Sequence, residues 1–295
     1  MSQHTPNNFL GIPEEFSAYE KSRVAVLPVP YEYTVSYGEG TARGPGAIIE
    51  ASAQVELYDE ELSFEPYEVG VSTLAPLDVS GIPPSRMKDV VSSAVARMIG
   101  DGKLPLMLGG EHSITPAAVA SVAAACGDIT VVQFDAHADL RQEYEGEPWS
   151  HACAMARVRE ICPAVQVGIR NISKPEAEWV RRESLPVFFA KDMMNGDHWM
   201  KEALAAIPTK KIYVTIDLDG LDMSIMSATG TPEPGGMGWY QTLGFLRMLL
   251  SEREAVGFDI VELAPVKGLH ACDFLAAKLA YKCIGYWADN TKLKP

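Results

Sequence analysis

Seven short runs of unbroken apolar sequence, each followed by a helix-like stretch, limit the folds open to this chain. They are "RVAVLPVP" (Arg23 to Pro30), "KLPLMLGG" (Lys103 to Gly110), "DITVVQFDAH" (Asp128 to His137), "AVQVGIR" (Ala164 to Arg170), "LPVFFA" (Leu185 to Ala190), "KIYVTIDLD" (Lys211 to Asp219) and "AVGFDIVEL" (Ala255 to Leu263). A strand with one wet face alternates apolar and polar residues. A parallel strand buried on both faces does not. Helical patterns such as "PGAIIEASAQVELY", "MKDVVSSAVARMI" and "DFLAAKLAYKCIGYW" lie between or after the runs. The alternation predicts βαβ units in one doubly wound sheet. The richest Gly/Pro segment, "SATGTPEPGGMG" (Ser227 to Gly238), sits between a strand and a helix rather than between domains. A single domain over residues 1–295 is therefore expected, with residues 1–22 as an N-terminal extension.

In an open parallel sheet, ligands bind beyond the carboxyl ends of the strands. Four of the runs end there in acids or histidines. "LPLML" leads into Glu111 and His112, and "TVVQF" into Asp135, His137 and Asp139. "YVTI" leads into Asp217, Asp219 and Asp222, and "GFDIV" into Glu262. Taken singly each has an ordinary reading. An Asp at a strand end caps helices and forms turns, which is the reading preferred for Asp222, and a lone His112 fits a satisfied core histidine. Asp-x-His-x-Asp and Asp-x-Asp-x-x-Asp following two strands of one chain are harder to explain that way.

If the strand ends share one edge, His112, Asp135, His137, Asp139, Asp217 and Asp219 converge. Four carboxylates in one crevice repel and raise one another's pKa values unless a cation neutralises them. Oxygen-rich donors with some imidazole and no thiolate suit Mg²⁺, Mn²⁺ or non-haem iron better than a structural zinc. Six ligands are enough for two ions, which can together activate a water. The alternating Asp135, His137 and Asp139 fit such a centre only if the strand has already ended.

Composition closes other routes. Lys plus Arg number 25 against 39 Asp plus Glu, a net charge of −14, which disfavours nucleic acid as a partner. Five cysteines, an odd number with no Cys-x-x-Cys, argue against a disulfide framework and for a cytoplasmic setting. No run approaches the length of a membrane span, and the N-terminus lacks a secretory pattern. "GEGTARGPG" (Gly38 to Gly46) has Arg43 where a dinucleotide fingerprint needs glycine. Cys153, two residues from His151, cannot face it on a helix and is expected in the core.

The segments "GGEHSITPA", "FDAHADLR", "SHACAMARV", "TIDLDGLD", "TGTPEPGG" and "FDIVELAP", in that order, resemble the ureohydrolase (arginase/agmatinase) family, the agmatinase branch most of all. The resemblance implies a three-layer α/β/α fold around a mainly parallel eight-stranded sheet, assembled as a trimer or hexamer. It implies two Mn²⁺ per subunit, one held by His112, Asp135, Asp139 and Asp217 and the other by Asp135, His137, Asp217 and Asp219. His151 matches the family's proton-shuttling histidine, and Glu262 the acid that pairs with a guanidinium. The expected reaction is hydrolysis of a small cationic guanidino substrate, agmatine to putrescine and urea. The chain departs from the family in having Ala152, Cys153 and Ala154 after the shuttle histidine and Met223 after "DGLD". It also lacks the elements that read the α-carboxylate and α-amino group of arginine. Guanidinobutyrate, guanidinopropionate, formiminoglutamate and free guanidine remain rival substrates, and a silent relative that keeps metals for stability remains a rival role. An anionic tail would call for a basic residue such as Arg141 or Arg157.

Overall fold

Val and Ile are crowded at Cβ in a helix and pack well on a pleated surface, so the apolar runs extend. The computed structural model describes residues 7–194 and 196–293. It contains β1 (Val24–Val29), β2 (Val71–Thr73), β3 (Leu104–Gly109) and β4 (Ile129–Phe134). β5 (Ala164–Ile169), β6 (Val187–Phe189), β7 (Lys211–Asp217) and β8 (Glu254–Val261) follow. All seven runs are strands. The eighth, β2, has three residues, too few for any periodicity to show.

The helices are α1 (Glu14–Ser17), α2 (Gly44–Ser52), α3 (Pro84–Gly100), α4 (Thr115–Cys126), α5 (Ala154–Arg159), α6 (Lys174–Glu183), α7 (Ala190–Met193), α8 (His198–Ala205), α9 (Trp239–Glu252) and α10 (His270–Asn290). Proline opens α2, α3, α4 and α6, where its missing N–H costs nothing and its fixed φ suits the first turn. Ser173 and Glu176 add a capping box to α6.

The strand order is β2-β1-β3-β8-β7-β4-β5-β6, and every pairing is parallel. Each strand presents one set of side chains to each face, so two apolar layers form. One gathers Ile48 of α2, Trp199 of α8, Leu246 of α9 and Ile284 of α10 over Val132, Val214 and Phe258. The other gathers Met87 of α3, Val122 of α4, Met155 of α5 and Val180 of α6 over Leu27, Met107 and Val131. This is the three-layer α/β/α sandwich expected, with a wholly parallel sheet.

The segment before residue 22 is less of an appendage than expected. Phe9, Leu10 and Ile12 are buried in the first apolar layer. The N–H of Leu10 donates to Ser52 Oγ at 2.7 Å. Among the described residues no helix is long and apolar enough to cross a membrane.

Because the sheet is parallel, all strand carboxyl ends share one edge. The four strands whose ends carry the ionisable clusters, β3, β8, β7 and β4, are consecutive at its centre.

Candidate metal centre

The spacing of two in both acidic motifs has a local cause. β4 ends at Phe134, and Asp135 Oδ1 accepts the N–H of His137 at 2.6 Å. β7 ends at Asp217, and Asp217 Oδ1 accepts the N–H of Asp219 at 2.9 Å. A carboxylate that accepts from the backbone two residues on closes an Asx turn. Each turn ties one oxygen of the leading Asp to its own backbone and brings the side chain two residues later alongside. The turns press together because Gly220 has no side chain: a Cβ there would lie 2.7 Å from the Asp135 nitrogen.

Two groups of ligand-type atoms result, each lying within 4.8 Å of one another: His112, Asp135 and Asp139, and Asp135, His137 and Asp219. Asp135 belongs to both. His112 Nδ1 is 3.1 Å from Asp135 Oδ2, 3.1 Å from Asp139 Oδ2 and 3.3 Å from Asp217 Oδ2. His137 Nδ1 is 3.0 Å from Asp219 Oδ2 and 3.6 Å from Asp135 Oδ1. Asp217 thus stands beside the first group but joins neither tight triad. Asp139 reaches in from a left-handed backbone, φ 52°, a conformation Asp tolerates better than most residues.

His112 carries its own test of whether these atoms suit a cation. Its Nδ1 is buried and makes no directed hydrogen bond to any of the three oxygens around it. Its Nε2 lies 2.8 Å from Thr215 Oγ1, and Thr215 donates its only hydroxyl hydrogen to Asp259 Oδ1 at 2.5 Å. Asp259 also accepts from Thr115 and Tyr213. Thr215 can therefore only accept from His112, which puts a hydrogen on Nε2 and turns Nδ1 toward the carboxylates. An acceptor that fixes the far nitrogen of a ligating histidine is the usual support of a metal site, and here it is the Thr215 hydroxyl, held by Asp259. The donor set fits a pair of divalent cations.

The electrostatics agree. Burial alone would push the His112 imidazole down, but Asp135, Asp139 and Asp217 raise it well above its ordinary value. Burial likewise opposes His137, yet Asp135 and Asp219 lift it to about 12. Burial and the charge of Asp135 raise Asp139 to about 7. Burial, then Asp219 and Asp135, hold Asp217 high. Beside so many carboxylates, both imidazoles favour their charged form.

His151 and Glu262 reach the same cavity, of about 180 Å³, lined also by His112, His137, Asp139, Asp217 and Asp219. Glu262 follows β8 at φ 69°, a sparsely populated conformation for a Glu. Its N–H donates to Gly110 O at 2.7 Å, and its Oε1 accepts the His112 N–H at 2.7 Å. Burial first, then the charge of Glu111, raises its pKa well above the carboxylate range. His151 lies 3.1 Å from Thr34 Oγ1 through Nδ1 and meets the edge of Tyr144 at 5.8 Å. Burial lowers its pKa against the opposing charge of Glu111.

All eight residues expected in the site lie in or against this pocket. The other expectations sort by contact. Asp222 is a turn former, accepting from the N–H groups of Ser224, Gly235 and Gly236. Cys153 is buried. The backbone of the glycine-rich segment turns inward, Gly40 and Ala42 donating to Glu32. Arg141 lines the cavity, whereas Arg157 pairs with Glu160 and Gln142. Thr215, Asp259, Gln133 and Arg170 were not foreseen. Gln133 donates to Asp135 Oδ2 at 2.6 Å. Arg170 donates to the carbonyls of Asp219, Gly220, Glu233 and Pro234, pinning the loops that follow β7. Asp259, an acid in the middle of "GFDIV", was the visible signal among them.

A family model described as the arginase family matches residues 22–285. The N(1)-aminopropylagmatine ureohydrolase of a Synechocystis species is 42% identical, over 99% of both chains. The agmatinase of Bacillus anthracis is 33% identical, over 84% of this chain and 86% of that one. The crystal structure of agmatine ureohydrolase from Thermoplasma volcanium superposes with a TM-score of 0.88 at 30% identity, covering 99% of this chain and 98% of that one.

Proposed function

The chain belongs to the arginase family, and from that premise we propose that it releases urea from a linear aminoalkylguanidine by means of two cations held at His112, Asp135, His137, Asp139, Asp217 and Asp219. The observation that carries this reading is the pair of donor groups sharing Asp135, with His112 Nδ1 turned toward three carboxylates. Bound there, two divalent ions would neutralise the acids and supply hydroxide at neutral pH.

The chain's own residues do the rest. The guanidinium is planar and cationic. Glu262 keeps one oxygen on the His112 N–H, which leaves the other for the N–H groups of the substrate. Seated there, the substrate supplies the positive charge that the raised Glu262 lacks. As the C–O bond forms and the C–N bond breaks, both water protons must end on the leaving amine. His151, on the cavity wall, holds and hands over a proton. Burial keeps it ready to accept one first.

For the tail, N(1)-aminopropylagmatine is our first choice and agmatine our second. The relative named for the longer substrate is the more similar, and over nearly all of both chains. Hydrolysis would yield urea with spermidine or putrescine, respectively. Arg141 on the cavity wall favours one other reading, a guanidine with an anionic tail. The proposal takes manganese as the ion, residues 1–295 as a single domain and a cytoplasmic homo-oligomer as the working form.

The test is a panel of N(1)-aminopropylagmatine, agmatine, guanidinobutyrate, arginine and guanidine, run with manganese, nickel and zinc in parallel, with urea measured. Urea from either aminoalkylguanidine, at the highest kcat/KM of the panel, is expected. Urea from none would sink the proposal, and a preference for guanidinobutyrate would shift it to the anionic tail.

A further inference from the structure

Glu111 sits in the same short segment as a metal-ligand candidate, yet it faces the other way. Its carboxylate is wholly buried and, among the described residues, pairs with no Lys or Arg. Four hydrogen bonds saturate it instead. Oε2 accepts the N–H groups of Tyr33 and Thr34, each at 2.7 Å. Oε1 accepts the hydroxyls of Thr34 at 2.7 Å and Ser113 at 2.6 Å. A buried charge held only by neutral donors calls for a use.

Donor counting supplies one. Thr34 has a single hydroxyl hydrogen, and Glu111 takes it. Thr34 Oγ1 is then left with lone pairs, and it already accepts the backbone N–H of His151 at 3.0 Å. Its second neighbour is His151 Nδ1 at 3.1 Å, the nearer of that nitrogen's two hydroxyl partners; Ser150 Oγ lies at 3.3 Å. Toward Thr34 the nitrogen can only donate, which places the hydrogen of the neutral ring on Nδ1 and the lone pair on Nε2. Among the described residues the one partner of Nε2 is Ser36 Oγ, at the weak distance of 3.5 Å, and both residues line the cavity.

We propose that Glu111 and Thr34 are positioning residues that hold His151 in its Nδ1–H tautomer, presenting an unprotonated Nε2 to the cavity so that it accepts a proton before it donates one. The proposal deepens the role given to His151 above and rests on it. It also explains why the loop after β1 is fastened to the end of β3: the two Glu111 bonds to the Tyr33 and Thr34 backbone keep the hydroxyl in place. A wrong tautomer in an otherwise intact site is known to be costly in proton-transfer enzymes.

The direct measurement is long-range ¹H–¹⁵N correlation NMR on histidine-labelled protein loaded with a diamagnetic divalent ion. The chain has six histidines, so His151 is assigned by the signals lost in His151→Asn. Above the ring's titration, wild type should show Nδ1–H with Nε2 bare. Thr34→Val should move the hydrogen at least partly to Nε2, and Thr34→Ser should restore the wild-type pattern. In turnover, Thr34→Val should lower kcat by about ten- to a hundredfold with KM within about twofold, the scale of lost support to a site residue. Glu111→Gln should do the same where it folds, and Thr34→Val keeps the test alive where it does not. An Nε2–H wild type, or a Thr34→Val protein with unchanged tautomer and kcat, would overturn the proposal. Absence of urea from every guanidine would instead remove the catalytic role of His151 and leave the tautomer to be judged by NMR alone.

Discussion

The protein builds two acidic clusters, one around the buried Asp59 with Glu61 on its exposed side and one at the sheet edge, and treats them in opposite ways. Beneath α10, Lys282 is about as buried as Asp59, and its Nζ lies 2.9 Å from Asp59 Oδ1 and 3.2 Å from Glu61 Oε2. Arg247 and the Tyr286 hydroxyl complete the coordination of Glu61. Burial alone would raise Glu61, but its bonds to Tyr286, Arg247 and Lys282 pull its pKa down. At the carboxyl edge of the sheet, Asp135, Asp139, Asp217 and Asp219 are also buried, but with two imidazoles and, among the described residues, no ion pair to Lys or Arg. There Asp139 is pushed up, by burial and by Asp135, to about 7. Around Asp59 the chain encodes the counter-charge as Lys282. At the sheet edge it encodes only imidazoles, and the remaining counter-charge is left to cations from solution.

The largest expected effect that could break this contrast is at the shared ligand. Asp135→Asn should cut bound divalent metal at both groups and bring urea release to background. The metal-free protein should also melt lower than wild type, since, against the effect of burial, the His112 and His137 imidazoles hold the Asp135 carboxyl well below its ordinary range and lose that partner. Metal analysis, turnover and calorimetry on one preparation check it, and full metal binding by the variant would remove Asp135 from the shared position. Next in size is Lys282→Met, which strands Asp59. Denaturant unfolding should show a loss of about 3–5 kcal/mol, the scale for removing one partner of a buried pair. Urea release per folded molecule should stay within about twofold of wild type.

The smallest effect sharpens the comparison through pH. In metal-free protein Asp139 is raised from 3.8 to about 7 and His137 from 6.5 to about 12. A raised folded-state pKa stabilises below the unfolded value and loses that stabilisation as pH climbs to the folded one. Metal-free stability should therefore decline from about pH 4 to 7 through Asp139 and above about pH 6.5 through His137, by up to about 1.4 kcal/mol per pH unit per proton. With saturating manganese the slope should reverse between about pH 5 and 8, because ions and protons compete for the same atoms. Thermal melts with and without metal across that range test it, and parallel curves would remove His137 from the ligand set.

The sequence announced most of the scaffold because a parallel strand buried on both faces is a strong local signal. It missed β2, where three residues paired with β1 owe their place to the neighbouring strand. It set residues 1–22 apart as an N-terminal extension, whereas Phe9, Leu10 and Ile12 lie in the core. The site was legible as a list: the ligand candidates, His151 and Glu262 all meet at one cavity wall or just behind it. What the list could not contain was direction. The roles of Thr215, Asp259, Thr34 and Glu111 depend on which atom spends its hydrogen on which, and that appears only when residues 34 and 111, or 215 and 259, are side by side.

The strand order carries a further consequence. His112, Asp135 and Asp139 lie close together along the chain, yet β3 and β4, from whose ends they project, are separated in the sheet by β8 and β7. A nascent polypeptide emerging from the ribosome would hold all three residues long before the two strands that space them had been synthesised. Assembly of the donor groups is thereby deferred until residues 211–261 have threaded into the middle of the sheet. A chain halted before that point keeps the ends of β3 and β4 without the strands that set their spacing.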